Sequence, residues 1–172
     1  ANFQWIAAMN PCPCGFYGDS IKPCTCAPAM VTKYQKRISG PLLDRIDIHI
    51  EVTPVSFDEL ADERKSERSK FVRERVVKAR GIQNTRYKNI EGIFSNSQMA
   101  SKNLEQFAHI NESGKTLLKN AMEKLGLSAR AYDRIIKVAR TIADLDASEN
   151  IEMDHLSEAI QYRSLDRESW AG

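Results

Sequence analysis

The chain has 172 residues, 42% of them hydrophobic and 28% charged, with a formal net charge of +2. That is the profile of a soluble globular protein with room for one ordinary domain or two small ones. No apolar run approaches the eighteen or so residues of a membrane span. The opening "ANFQWIAAMN" has neither the basic start nor the cleavage site of a secretion signal, so a cytoplasmic location is the default.

In chain order, the first element is the apolar run Phe3 to Met9, broken only by Gln4. Such a run reads as a strand buried on both faces, as in a parallel sheet. A second strand is expected in "RIDIHIEV", where Ile46, Ile48, Ile50 and Val52 alternate with polar residues. Two strands make no stable sheet alone. The fold expected is therefore α/β plus α: the C-terminal remnant of a parallel-sheet core followed by an all-helical bundle. Between the strands lies a cysteine loop, then a helix over 27–39 with Pro28 near its start and Gly40 and Pro41 as its stop.

Beyond Pro54 the chain turns polar. Residues 61–90 hold ten Lys/Arg against four Asp/Glu, whereas residues 1–60 hold five against six. The excess sits on a helix expected over about 66–86, with Phe71, Val72, Val76, Ala79 and Ile82 as its apolar face. A solvated helix face is the plain reading of the charge, and a nucleic-acid contact is the alternative. Short helices are expected around Leu104–Ala108 and Leu117–Leu125, the latter ended by Gly126. The strongest helical pattern is "LSARAYDRIIKVARTIADL". Ser128 is its N-cap, and Tyr132, Ile135, Ile136, Ala139, Ile142 and Ala143 form its stripe. A last helix is expected from about Met153 to Arg163, capped by Asp154 or a neighbour. This divides the chain into residues 1–57, a linker over 58–65, and a helical unit over 66–172.

"SGKT" at 113–116 imitates the end of a phosphate-binding loop. The full motif needs glycine where His109 stands, and a strand where the pattern is helical. A plain helix start is expected there instead.

All four cysteines fall in "PCPCGFYGDSIKPCTC", residues 11–26. Cys12 and Cys14 form one C-x-C pair and Cys24 and Cys26 another, with Gly15 and Gly18 as turn formers in the spacer. Three readings are open: a tetrathiolate zinc site, free thiols, and disulfides. A reducing compartment disfavours disulfides, and the C-x-x-C of redox proteins is absent. Zinc is the favoured reading. With four sulfur ligands it has no open position and is structural, not catalytic.

Taken together, "AAMNPCPCGFYGD", "CTCAP", "RISGPLLDRIDIHIEV" and "LSARAYDRIIKVARTIADL" resemble the C-terminal part of the magnesium-chelatase-like AAA+ ATPases of the ComM competence type. The resemblance covers nearly the whole chain. It implies a nucleotide-binding core followed by a helical lid, with the phosphate loop and Walker B acids upstream. It implies ATP with Mg2+ as cofactor, a homo-oligomeric, hexameric ring, and DNA as the substrate of helicase or branch-migration work. Metal insertion into a porphyrin is the alternative within the family, and a zinc-stabilised binding module without ATPase activity is the alternative outside it. By the same resemblance Asn10 matches sensor 1 and Arg45 the arginine finger. Arg130 matches sensor 2, with Arg134 as runner-up for that role.

Overall fold

A computed structural model describes residues 3–53, 55 and 67–163. The helices are α1 (Pro28–Gln35), α2 (Gly40–Leu43), α3 (Ser69–Tyr87), α4 (Ser101–Phe107), α5 (Glu112–Leu125), α6 (Ala129–Leu145) and α7 (Met153–Gln161), with a 3₁₀ turn at Asn96–Gln98.

The described residues contain no strand, which corrects the parallel-sheet expectation. Alternation says which face a strand would bury, but a strand exists only where another lies beside it. Among the described residues neither run has such a neighbour. Phe3 and Ile6 are 79% and 83% exposed, and Val52 is 86% exposed. The backbone of the second run turns instead to a helix end: the His49 N–H donates to the Tyr162 carbonyl at 3.0 Å. Gly40 and Pro41 also act differently from expectation. They open α2, with proline in the first turn where its missing N–H costs nothing.

The helical unit forms around α6. Its stripe Ile135, Ile136, Ala139 and Ala143 is buried, and it packs on α7, α3, α4 and the 3₁₀ turn. The core is completed by Tyr87, Met99, Leu104, Leu118, Ile151 and Leu156. Local chemistry sets the boundaries. The Ser128 hydroxyl accepts from the Ala131 N–H at 3.4 Å, satisfying one orphan donor at the start of α6. Gly126 closes α5 at φ +56°, a left-handed conformation that costs a residue with a Cβ. At the start of α7 the cap is made by neighbours of Asp154: Asp154 itself lies in the first turn, while the His155 Nδ1 accepts from the Glu152 N–H at 2.9 Å.

The "SGKT" segment is a helix start. Asn111 caps α5, its Oδ1 accepting from the Gly114 N–H at 2.8 Å, and Lys115 pairs with Glu112 at 2.6 Å. The amide and the amine that a phosphate would need are thus already engaged.

The apolar face expected on α3 is only half buried. Ala79, Gln83 and Tyr87 are covered, but Phe71, Val72 and Val76 stay exposed, because the first turns of α3 run past the bundle.

Candidate functional site

Two clusters of chemistry stand out, and the cysteine loop is the more compact. After Pro11 the chain reverses at Gly15, φ +86°, whose N–H donates to the Cys12 carbonyl at 3.0 Å. It turns again at Gly18, φ +82°. The Asp19 carboxylate then accepts from the Ile21 and Lys22 N–H groups at 2.7 and 3.0 Å. These turns return the second C-x-C pair to the first. The Gln35 amide of α1 fastens the loop, donating to the Pro11 carbonyl at 3.1 Å.

The sulfurs of Cys12, Cys14, Cys24 and Cys26 all lie within 4.8 Å of one another. Cys12–Cys14 is 3.3 Å, Cys14–Cys24 is 3.5 Å and Cys12–Cys24 is 3.7 Å. No disulfide joins them. The charge distribution is uneven. Backbone N–H groups of Phe16 and Thr25 directed at Cys14 lower its pKa to about 5, against burial. At Cys24 a bond from the Cys26 N–H works the same way, but burial and the neighbouring sulfurs outweigh it and push the thiol up to about 12. Four sulfurs this close, with Cys12 fully buried, form a donor set that can hold a metal ion.

Asn10 precedes this loop directly. It is exposed, with its side-chain amide against Gly15: a Cβ on Gly15 would lie 3.7 Å from the Asn10 Nδ2.

The second cluster surrounds Arg45, just beyond α2. Arg45 is exposed, and its guanidinium donates to the Pro41 carbonyl at 2.7 Å. The two acids beside it are held by other arginines. Asp47 pairs with Arg134 of α6. Asp44 lies 4.0 Å from Arg163, whose side chain is completely buried and also donates to the Ile46 carbonyl and, at 3.5 Å, to the Leu43 carbonyl. Arg130, in the first turn of α6, is exposed. Of the four residues picked from the resemblance, Arg134 alone is ion-paired among the described residues. Through Asp47 it meets the Arg45 segment, whereas Asn10 belongs to the cysteine loop.

Sequence reasoning missed a third group, buried in the bundle. Asp144 accepts from Arg86 at 2.7 and 2.5 Å, from Asn96 at 2.8 Å and from Arg140 at 3.1 Å. Arg140 also donates to the carbonyls of Ser148 and Glu149, at 2.6 and 2.8 Å. Burial resists the Asp144 charge, but the hydrogen bonds from Arg86 and Asn96 prevail and its pKa is lowered. A signal was present: Arg140 and Asp144 follow Ile136 at steps of four, on the apolar stripe of α6.

Comparison with known proteins places the chain. The family model described as magnesium chelatase, subunit ChlI C-terminal, matches residues 66–163, and the model for magnesium chelatase, subunit ChlI, matches residues 1–60. The chain belongs to the magnesium chelatase ChlI family. Within it the chain is similar to competence protein ComM of Haemophilus influenzae, 42% identical over 170 residues. It is also similar to the uncharacterized protein YifB of Escherichia coli, 38% identical over 169 residues. An uncharacterized protein of Mycobacterium tuberculosis is 30% identical over 166 residues. These alignments cover 97%, 97% and 95% of this chain but 32% of each relative. The chain therefore spans about a third of the length of these ChlI-family relatives and is a ComM-type, magnesium-chelatase-like fragment. No helix among its described residues is long and apolar enough to cross a membrane.

Proposed function

We propose that this chain is part of a cytoplasmic ATPase that assembles as a hexameric ring and couples hydrolysis of ATP with Mg2+ to the remodelling of DNA. Residues 1–57 then belong to the nucleotide-binding core, 58–65 to a linker and 66–172 to the lid. Arg45 is the arginine finger, reaching the nucleotide of the neighbouring subunit and stabilising charge that develops on the transferred phosphoryl group. Asn10 orients the attacking water. Arg130 meets phosphate oxygens from the start of α6, where the helix dipole also favours an anion.

The observation that carries this reading is the state of Arg45. Among the described residues no carboxylate pairs with it, although two stand within two positions in the chain, because Arg134 and Arg163 engage those acids. A guanidinium left exposed beside two diverted acids is available to an anion supplied from outside. DNA as substrate is supported by the similarity to a protein named for competence.

The four cysteines fit zinc. Zn–S bonds of about 2.3 Å in a tetrahedron put the sulfurs about 3.8 Å apart, and the three separations of 3.3, 3.5 and 3.7 Å approach that spacing. Cys12, Cys14, Cys24 and Cys26 would hold the ion. Its contribution would be stability, tying a short loop that buries little apolar surface.

The test is made in the full-length protein. Arg45→Ala should leave nucleotide binding near wild type and lower hydrolysis on the order of 10³-fold. Arg45→Lys should not rescue it, since an ammonium lacks the planar two-pronged contact. Wild-type hydrolysis in Arg45→Ala would refute the assignment.

A further inference from the structure

The segment from Leu43 to His49 crosses the ends of two helices of the 66–163 unit, and three contacts hold it there. Arg163, beyond α7, donates to the carbonyls of Ile46 and Leu43 from a side chain that is 0% exposed. The His49 N–H donates to the Tyr162 carbonyl at 3.0 Å. Arg134, in the second turn of α6, pairs with Asp47 where the two side chains are 28% and 59% exposed. None of these contacts uses the Arg45 side chain, which leaves the segment between them.

We infer that Arg134 and Arg163 are positioning residues: they grip the Arg45 segment from α6 and α7, so that the helical unit of a subunit sets where that subunit's Arg45 points. The inference rests on the reading of Arg45 as the finger. The two grips differ in kind. Arg163 is buried and binds backbone carbonyls, so it is a fixed anchor. The Arg134–Asp47 pair is partly solvated and side chain to side chain, so it is the adjustable one. Any rotation of α6 and α7 relative to α2 therefore moves Arg45 with it. Arg134 is thereby separated from Arg130. To touch a phosphate Arg134 would have to release Asp47, whereas Arg130 is exposed with no such partner among the described residues.

A misplacement of about 1 Å in a group that acts on a transition state can cost about 10²-fold in rate. Loosening one of two grips is expected to cost less, on the order of 10-fold. The experiment compares full-length wild type, Asp47→Asn, Arg134→Gln, the charge swap Asp47→Arg with Arg134→Asp, and Arg45→Ala. It measures kcat, ATP affinity and amide hydrogen exchange over residues 43–49. Asp47→Asn should lower kcat with ATP affinity unchanged and speed exchange over 43–49, and the swap should recover both in large part. Wild-type kcat and exchange in Asp47→Asn would overturn the inference. So would weakened ATP binding in Arg134→Gln with hydrolysis intact in Asp47→Asn, since Arg134 would then be a phosphate ligand. Should Arg45→Ala hydrolyse ATP normally, the finger reading fails, and exchange over 43–49 in Asp47→Asn still decides whether the grip exists.

Discussion

Replacing Asp144 by asparagine keeps the shape of the side chain and removes its charge. Asp144 is 1% exposed and is the carboxylate between Arg86 and Arg140, the latter 2% exposed. An arginine stays charged in a protein, so the variant leaves two cations facing each other with no counter-charge. Burial already works against the Arg140 charge, and the attraction of Asp144 offsets part of that. Breaking one partner out of a buried ion network costs about 3–5 kcal/mol. At about 4 °C per kcal/mol, the low end for a domain of this size, Tm should fall by at least roughly 12 °C. Circular dichroism melts of Asp144→Asn beside Glu123→Ala provide the comparison. Glu123 pairs with Lys119 at 4.0 Å, with both side chains more than two-thirds exposed, and its loss should leave Tm unchanged. The pH dependence carries a second check. The folded pKa of Asp144 is lowered, so its stabilisation is complete above the ordinary carboxylate pKa and is lost as pH falls through the lower folded value. Asp144→Asn should lose that part of the acid slope. A variant melting within error of Glu123→Ala, with an unchanged acid slope, would refute the account of the bundle interior.

Protein prepared under reducing conditions should carry close to one zinc per chain by elemental analysis, lost in Cys12→Ser and in Cys24→Ser; metal-free wild type from a chelator-free preparation would reject the tetrathiolate site. Gly114→Ala should destabilise the bundle by about 1–3 kcal/mol, despite alanine's better helix propensity, because its Cβ would lie 2.7 Å from Leu156 Cδ1 and 3.3 Å from Asn111 Oδ1; a Tm equal to or above wild type would show that Leu156 gives way. The 172-residue chain alone should release no phosphate from ATP above background, since its one lysine-bearing near-match to a phosphate loop is a capped helix start; turnover abolished by Arg130→Ala would contradict that.

Local signals were read well because their cause is local. Ser128 and Gly126 fix helix ends through hydrogen bonds and backbone conformation within a few residues, and the C-x-C pairs with Gly15 and Gly18 already contain the geometry that gathers the sulfurs. What failed depends on distant partners. The period of two in residues 46–52 says nothing of a neighbouring strand, and among the described residues there is none. The apolar residues at the start of α3 follow the helical period, but whether they are covered depends on where the bundle stops. The burial of Arg86, Arg140, Asp144 and Arg163 was not anticipated, because charged side chains are rarely buried unless paired. Arg86 reaches Asp144 and Arg163 reaches the Ile46 carbonyl across the fold, which one-dimensional reading could not join, whereas Arg140 and Asp144 pair four residues apart on α6. The same holds for Arg45: its neighbours Asp44 and Asp47 look like its partners in sequence, and the fold gives them to Arg163 and Arg134.

The central claim, that Arg45 acts on a nucleotide held by the next subunit, is tested most directly by mixing two inactive full-length proteins. One carries Arg45→Ala; the other keeps Arg45 but is disabled in its phosphate loop. Co-assembled rings should recover ATPase activity that neither protein has alone, while Arg45→Ala melts at the wild-type temperature. No recovery on mixing, together with a lowered Tm for Arg45→Ala, would contradict the account and make Arg45 a residue that only holds its own segment in place.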